Sequence, residues 1–287
     1  MAADGPAAGP ARLTASPTRV GRDGCLAVRV EHRAGRSVLT GCRWTMPLQV
    51  LAPVALDDPA AVVWMLNPTG GLVGGDRLMI DVDVGSGAHA CLTTPSATKV
   101  YRTAGAAAEQ TVRLTLAPRA RLEWVPDHTI PFAGAALRQR VDAQVPEGAS
   151  LLLIDAFAAG RVARGERWRF ALLDSALTVR DARGWLVHDR LVLRDGAPGS
   201  GLGVAEDRPY VATVVVVADG DLASLVEDVA ALAADDVDVG AALLPRRGVL
   251  VRCLAADAPA LGRTLEALWA AARGRVLELP ALALRKP

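Results

Sequence analysis

The sequence predicts a mainly β fold: a large strand-rich body followed by a smaller α+β portion with two helices near the C-terminus. Three observations predict it. Short apolar or alternating runs recur from Cys25 onward at spacings typical of all-β architectures. Breaks at Gly105, Pro118, Pro146-Glu-Gly148, Gly165, Gly184 and Asp195-Gly196 punctuate them. Only after Asp219-Gly220 does the apolar period lengthen from that of a strand to that of a helix.

The elements follow in order. Residues 1 to about 18, rich in Ala, Gly and Pro, read as a flexible tail. The remainder, 19–287, reads as one domain, with the β body over about 19–205 and the α+β portion over about 206–287. Cys25–Glu31, Arg36–Thr40 and Ala61–Leu66 read as strands. Arg77–Val84 alternates through Leu78, Ile80, Val82 and Val84. Further strands are expected at His89–Thr93, Thr111–Leu116, Arg121–Val125, Leu151–Phe157, Arg167–Leu173, Leu177–Arg180 and Trp185–Leu193. Tyr210–Ala218 is an apolar strand, and Leu222, Leu225, Val226, Val229 and Leu232 then fall at helical spacing. After a strand at Val249–Leu254, Asp257 caps a second helix with Pro259 near its start and Gly274 as its stop. A last strand is expected at Arg275–Leu279.

Composition excludes several classes. Hydrophobic residues make up 51% and charged residues 22% of 287, which fits a globular chain rather than a disordered one. A net charge of +1 supplies no basic field for nucleic acid or an anionic membrane. No window reaches the ~18 consecutive apolar residues of a membrane span. Four widely spaced cysteines, none in a CxxC pair, and no secretory h-region point to free thiols in a cytoplasmic setting. The high apolar content, Tyr210–Ala218 included, predicts a chain that relies on partners to stay dispersed.

Gly70, Gly71, Gly74 and Gly75 invite a phosphate-loop reading. Asp76-Arg77 follows them, however, where a phosphate loop needs Lys and a hydroxyl residue, and the next element alternates as a strand instead of opening a helix. The glycines therefore read as a tight bend that lets backbones approach closely, with Asp76 at its exit.

This segment resembles the most distinctive run of the UreD (UreH) family of urease accessory proteins. The family's N-P-P-G-G-x-V-G-G-D-x-L run stands here as Asn67–Leu78, and its A-H-A-x-x-T-T-P-G-A-T-K-x-Y-R run as Ala88–Arg102. Two further family elements stand at Ala120–Phe132 (ARLEWVPDHTIPF) and Gly160–Glu166 (GRVARGE). Order and spacing agree over about a hundred residues. The chain departs from the pattern at Thr69 and Ser96, usually Pro and Gly, at Asp127-His128 and at Ala133.

Several side chains are candidates for chemistry. His89 and Cys91, two apart on a strand, share a face and offer nickel-compatible N and S donors, as does the imidazole of His128; ordinary packing explains the first pair as well. Thr94, Thr98, Lys99, Tyr101 and Arg102 form a polar run in which Lys99, Tyr101 and Arg102 are expected to share a strand face, a partner contact or the mouth of a passage. Glu123 and Glu166 are candidate carboxylates along such a passage. A rival reading is a β-rich hydrolase or isomerase centred on Asp127/His128 or Glu166, although no nucleophile or HExxH motif accompanies them.

The resemblance implies a body of stacked or helically wound sheets. It also implies a non-catalytic urease maturation factor that binds apo-urease subunits and accessory proteins F and G, the latter a GTPase. No tightly bound cofactor is expected, with nickel in transit through an internal tunnel.

Overall fold

The computed structural model describes residues 22–51, 56–195, 201 and 203–284. The expected tail, residues 1–18, lies outside them. An antiparallel hairpin, β1 (Asp23–Arg33) and β2 (Arg36–Thr45), leads to the short β3 (Gln49–Val50). Successive longer strands then alternate between two sheets. β4 (Ala61–Leu66) is followed across the core by β5 (Arg77–Val84), and β6 (His89–Thr93), with the short β7 (Thr98–Val100), by β8 (Ala108–Leu116). In the same way β9 (Arg121–Trp124) and the short β10 (Thr129–Pro131) precede β11 (Ala136–Gln144), and β12 (Ser150–Ala158) precedes β13 (Leu172–Asp181). β14 (Gly184–Arg194) closes a hairpin on β13. The remainder is β15 (Tyr210–Val217), α1 (Ala223–Ala230), β16 (Val237–Leu243), β17 (Val249–Ala255) and α2 (Ala258–Ala272).

The first sheet runs β14-β13-β11-β8-β5-β1-β2, and the second β16-β17-β15-β12-β9-β6-β4-β3. From β1 through β13 the first sheet is parallel, as is β4-β6-β9-β12 in the second. Parallel neighbours require a crossover, usually a helix. Here each crossover is a strand of the opposite sheet, so the chain winds as a solenoid, the helically wound β body that the family resemblance implies.

Burial explains why the sequence signal differs between the sheets. The first sheet has one solvated face, and β5 alternates as Leu78, Ile80, Val82 and Val84 turn inward. The second sheet is covered by the first on one side and by α1 and α2 on the other. Its β6 and β15 are buried at every position, which is why Tyr210–Val217 reads as a continuous apolar run. That run is internal, which removes the ground for an exposed apolar stretch in need of a partner.

Three expectations are corrected, and one long strand is added. No strand forms at 275–279: the chain leaves α2 through a π turn, Arg273–Leu277, because the buried Arg273 side chain holds the backbone there, and Gly274 does not stop it. Arg167–Leu173 and Leu177–Arg180 are not two strands. Residues 160–171 are irregular around a short 3-10 turn, and one strand, β13, spans the rest. The two helices are separated by the hairpin β16–β17 and not by a single strand. β11 was not anticipated at all.

Candidate functional site

The glycine bend lies over the β7 segment. Leu72 N–H donates to the Lys99 carbonyl and Tyr101 N–H to the Leu72 carbonyl, both at 2.8 Å. Gly71 sits at φ +151°, and a Cβ there would lie 2.4 Å from the Lys99 carbonyl oxygen, so only glycine fits. Asp76 closes the bend: it is buried and accepts from Val73 N–H at 2.8 Å, and burial raises its pKa despite that bond and the nearby Arg22. Gly70, Gly71, Gly74 and Gly75 thus shape a backbone crossing.

Tyr101 donates to the Gly70 carbonyl at 3.2 Å and packs edge-on to Phe132. The Arg161 guanidinium lies 4.5 Å from the centre of the Phe132 ring and pairs with Glu166, whose pKa is lowered by that hydrogen bond. Arg102, next in sequence to Tyr101, packs instead on Gly134. Successive residues of an extended chain point to opposite sides, so the shared face expected for Lys99, Tyr101 and Arg102 does not form. Val73, half-exposed, sits on the same bend.

Three cavities follow one another between the sheets. The outermost, about 120 Å³, is lined by Asn67, Gly70, Thr94, Thr98 and Lys99. It shares Asn67, Thr94 and Thr98 with a second of about 70 Å³, which reaches Asp127, Gln139 and Asp155. Asp155 also lines a third, about 10 Å³, with Ser175, Asp189 and Thr213.

Asp155 stands at the junction because the winding brings one polar rung together. Gln110, Gln139 and Ser175 are register neighbours on β8, β11 and β13, in the inward phase of their strands. Asp155 on β12 faces them, accepting from Gln139 Nε2 at 2.8 Å and Ser175 Oγ at 3.2 Å, while Gln110 Nε2 donates to Gln139 Oε1 at 3.2 Å. Burial pushes the Asp155 carboxyl up to about 6. The Gln139 and Ser175 hydrogen bonds oppose that shift, and the Asp189 charge adds to it. The surface Asp155 leaves open faces these cavities. Beyond it, Arg252 pairs with Asp189 at 2.5 Å.

A second buried polar group lies on the other face of the second sheet. Glu123 Oε1 accepts from His89 Nε2 at 2.7 Å and Arg273 Nη1 at 2.6 Å, and Oε2 from Trp269 Nε1. Arg273 also bonds Asp58 and, at 2.8 Å, the Pro280 carbonyl. Burial alone would raise the Glu123 pKa, but the His89, Arg273 and Trp269 contacts outweigh it and lower the pKa. This network clamps α2 to the sheet.

His89 and Cys91 share the helix-side face of β6, but His89 is engaged by Glu123, and Cys91 is buried in apolar core. His128 packs edge-on to Tyr210 and lines a different cavity, beside α2. Among the described residues no group of three or more His, Cys, Asp or Glu side chains is arranged to hold a metal ion. Thr94 accepts from Asp127 N–H at 2.9 Å. Glu166, held by Arg161, lines none of the cavities that Asp127 lines, so the two centres of the enzyme reading are not joined.

Sequence reasoning missed Gln139, Asp155 and Arg273. Each left a signal: a polar residue at an apolar phase, as in Leu137-x-Gln139-x-Val141, Leu153-x-Asp155-x-Phe157 and the Leu261–Trp269 stripe that continues into Arg273.

A family profile described as UreD urease accessory protein matches residues 22–287. Similar proteins bear the name urease accessory protein UreD. That of Delftia acidovorans (strain DSM 14801 / SPH-1) is 35% identical over 92% of this chain and 94% of its own. That of Klebsiella aerogenes is 34% identical over 88% and 92%. That of Anaeromyxobacter sp. (strain Fw109-5) is 36% identical over 80% and 79%.

Proposed function

Since the chain belongs to the UreD family of urease accessory proteins, we propose that it is a non-catalytic scaffold that binds apo-urease with accessory proteins F and G and conducts nickel toward the urease active site. The observation that carries the reading is the series of cavities between the sheets, with shared walls and Asp155 at their junction. Hydroxyls, amides and carboxylates along it are hard or borderline donors that replace part of a divalent ion's hydration without trapping it. A carboxyl with a pKa of about 6 also gives up its proton near neutrality as a cation arrives. Nickel is cargo here, and the GTPase brings it.

Thr94, Thr98 and Lys99 stand at the outer end of this route and Asp189 at the inner one. The Tyr101–Phe132–Arg161–Glu166 chain and the half-exposed Val73 offer a partner the aromatic and arginine side chains that dominate interfaces. His89, Cys91 and His128 lie off this route.

Copurification of the full chain with urease subunits and accessory proteins F and G tests the scaffold; no association under any combination overturns it. Ser175→Leu fills the inner cavity, which Ser175 lines beside Asp155. The complex is then expected to assemble while the nickel content of urease falls, and unchanged nickel loading removes the conducting role alone.

A further inference from the structure

The polar rung between the sheets continues past Asp155. On the second sheet Thr213 of β15 is the register partner of Asp155, and Arg252 of β17 is that of Thr213. Directly opposed residues of antiparallel strands share a face, so all three side chains lie on the side of the first sheet. The Arg252 side chain, 43% exposed, runs out to solvent. Its guanidinium donates through Nη1 to Thr213 Oγ1 and through Nη2 to Asp189 Oδ1, the latter at 2.5 Å. Asp189 belongs to β14 in the first sheet, and both acceptors line the inner cavity. Arg252 thus bridges the two sheets where that cavity approaches solvent.

The inner cavity is the tightest point of the series. At about 10 Å³ it has room for about one water, so a divalent ion passes only by exchanging its hydration shell for protein oxygens. Four of the lining side chains carry oxygen, those of Asp155, Ser175, Asp189 and Thr213. Arg252 occupies two of the four, and its positive charge stands across the way out. Letting go costs it little, because a half-exposed ion pair competes with water for both partners. We infer that Arg252 gates the inner end: engaged with Asp189 and Thr213, its guanidinium holds a divalent ion back, and by swinging into solvent it frees Asp189 to take the ion onward. This gate rests on the conducting role proposed above.

The test is the initial rate of nickel incorporation into apo-urease by the purified complex of the full chain with urease and accessory proteins F and G. Rates are taken per assembled complex, so that weaker assembly does not mimic a slower gate. Arg252→Gln removes the charge and is expected to raise the rate by up to about fivefold, the strength of an exposed ion pair expressed as a rate. Arg252→Lys keeps the charge and is expected to load at the wild-type rate. Adding Arg252→Gln to Ser175→Leu, whose inner cavity is filled, is expected to bring no gain. A rate in Arg252→Gln equal to or below that of the wild type, an equal gain in Arg252→Lys, or a gain that persists over Ser175→Leu overturns the gate. Ser175→Leu alone separates the two failures: if it slows loading, the route stands without this gate, and if it does not, both fall.

Discussion

Asp155 and Glu123 occupy neighbouring strands of one sheet and face opposite sides of it, and their carboxyls are driven in opposite directions. Asp155, toward the first sheet, meets amides, a hydroxyl and the negative Asp189, and its pKa climbs to about 6. Glu123, toward α2, meets Arg273, His89 and an indole N–H, and its pKa falls. Both lose water. What differs is whether the contacts favour the charged form enough to repay desolvation. One site is thus left able to change charge near neutrality, and the other is fixed as a structural anion.

The largest break in this contrast is Arg273→Met. It leaves Glu123 and Asp58 facing each other's neighbourhood without their cation, and about 3–5 kcal/mol of stability should be lost, as for other buried pairs missing a partner. Denaturant unfolding at neutral pH measures it, and a loss below about 1 kcal/mol would show that the carboxylates find other compensation.

Asp155→Asn should do the reverse. A raised folded pKa means that the native state prefers the protonated form, so stability is fully present below the ordinary Asp value of 3.8 and is lost as pH rises through about 6. The gap of about two pKa units makes the gain in the variant up to about 3 kcal/mol at pH 8, shrinking toward zero near pH 4. Unfolding curves of both proteins from pH 4 to 8 check the sign as well as the size.

Glu123→Gln sharpens the other side. Its lowered pKa gives stability that is present above the ordinary Glu value of 4.5 and lost as pH falls through the still lower folded value. The wild type should therefore lose more stability on acidification from pH 6 to 3 than the variant, and parallel curves would contradict the charge-clamp account. The smallest effect is expected on the solvated face of the first sheet: Glu109→Gln, which removes the exposed pair with Arg77, should change stability by less than about 1 kcal/mol.

The same contrast governs what could be read from sequence. Alternation exposed β5 because every inward residue is apolar. β11 escaped because its inward series runs Leu137, Gln139, Val141, Ala143, with the polar rung interrupting the pattern and arginines filling the outward one. The residues that build the interior site are the ones that blur the strand carrying it. The fold class, the helix region and the motif-bearing bends were legible, since each depends on local pattern or glycine chemistry. The pairing of Glu123 with Arg273 was not, because no local rule connects residues 150 positions apart. Thr94, Thr98 and Lys99 were singled out for polarity, and they line the outermost cavity. The histidines were singled out for metal affinity, and the fold uses His89 to hold a carboxylate.

The clamp also dictates an order of events during synthesis. Arg273 joins Asp58 across 215 residues and Glu123 across 150, and Trp269 reaches Glu123 across 146. Coils of the solenoid can wind one after another as the chain leaves the ribosome, but the helix-side face of β6, β9 and β12 stays uncovered until α1 and α2 emerge. A nascent chain thus carries a wide apolar sheet for most of its translation, and its folding closes in one late step when the C-terminal helix lands.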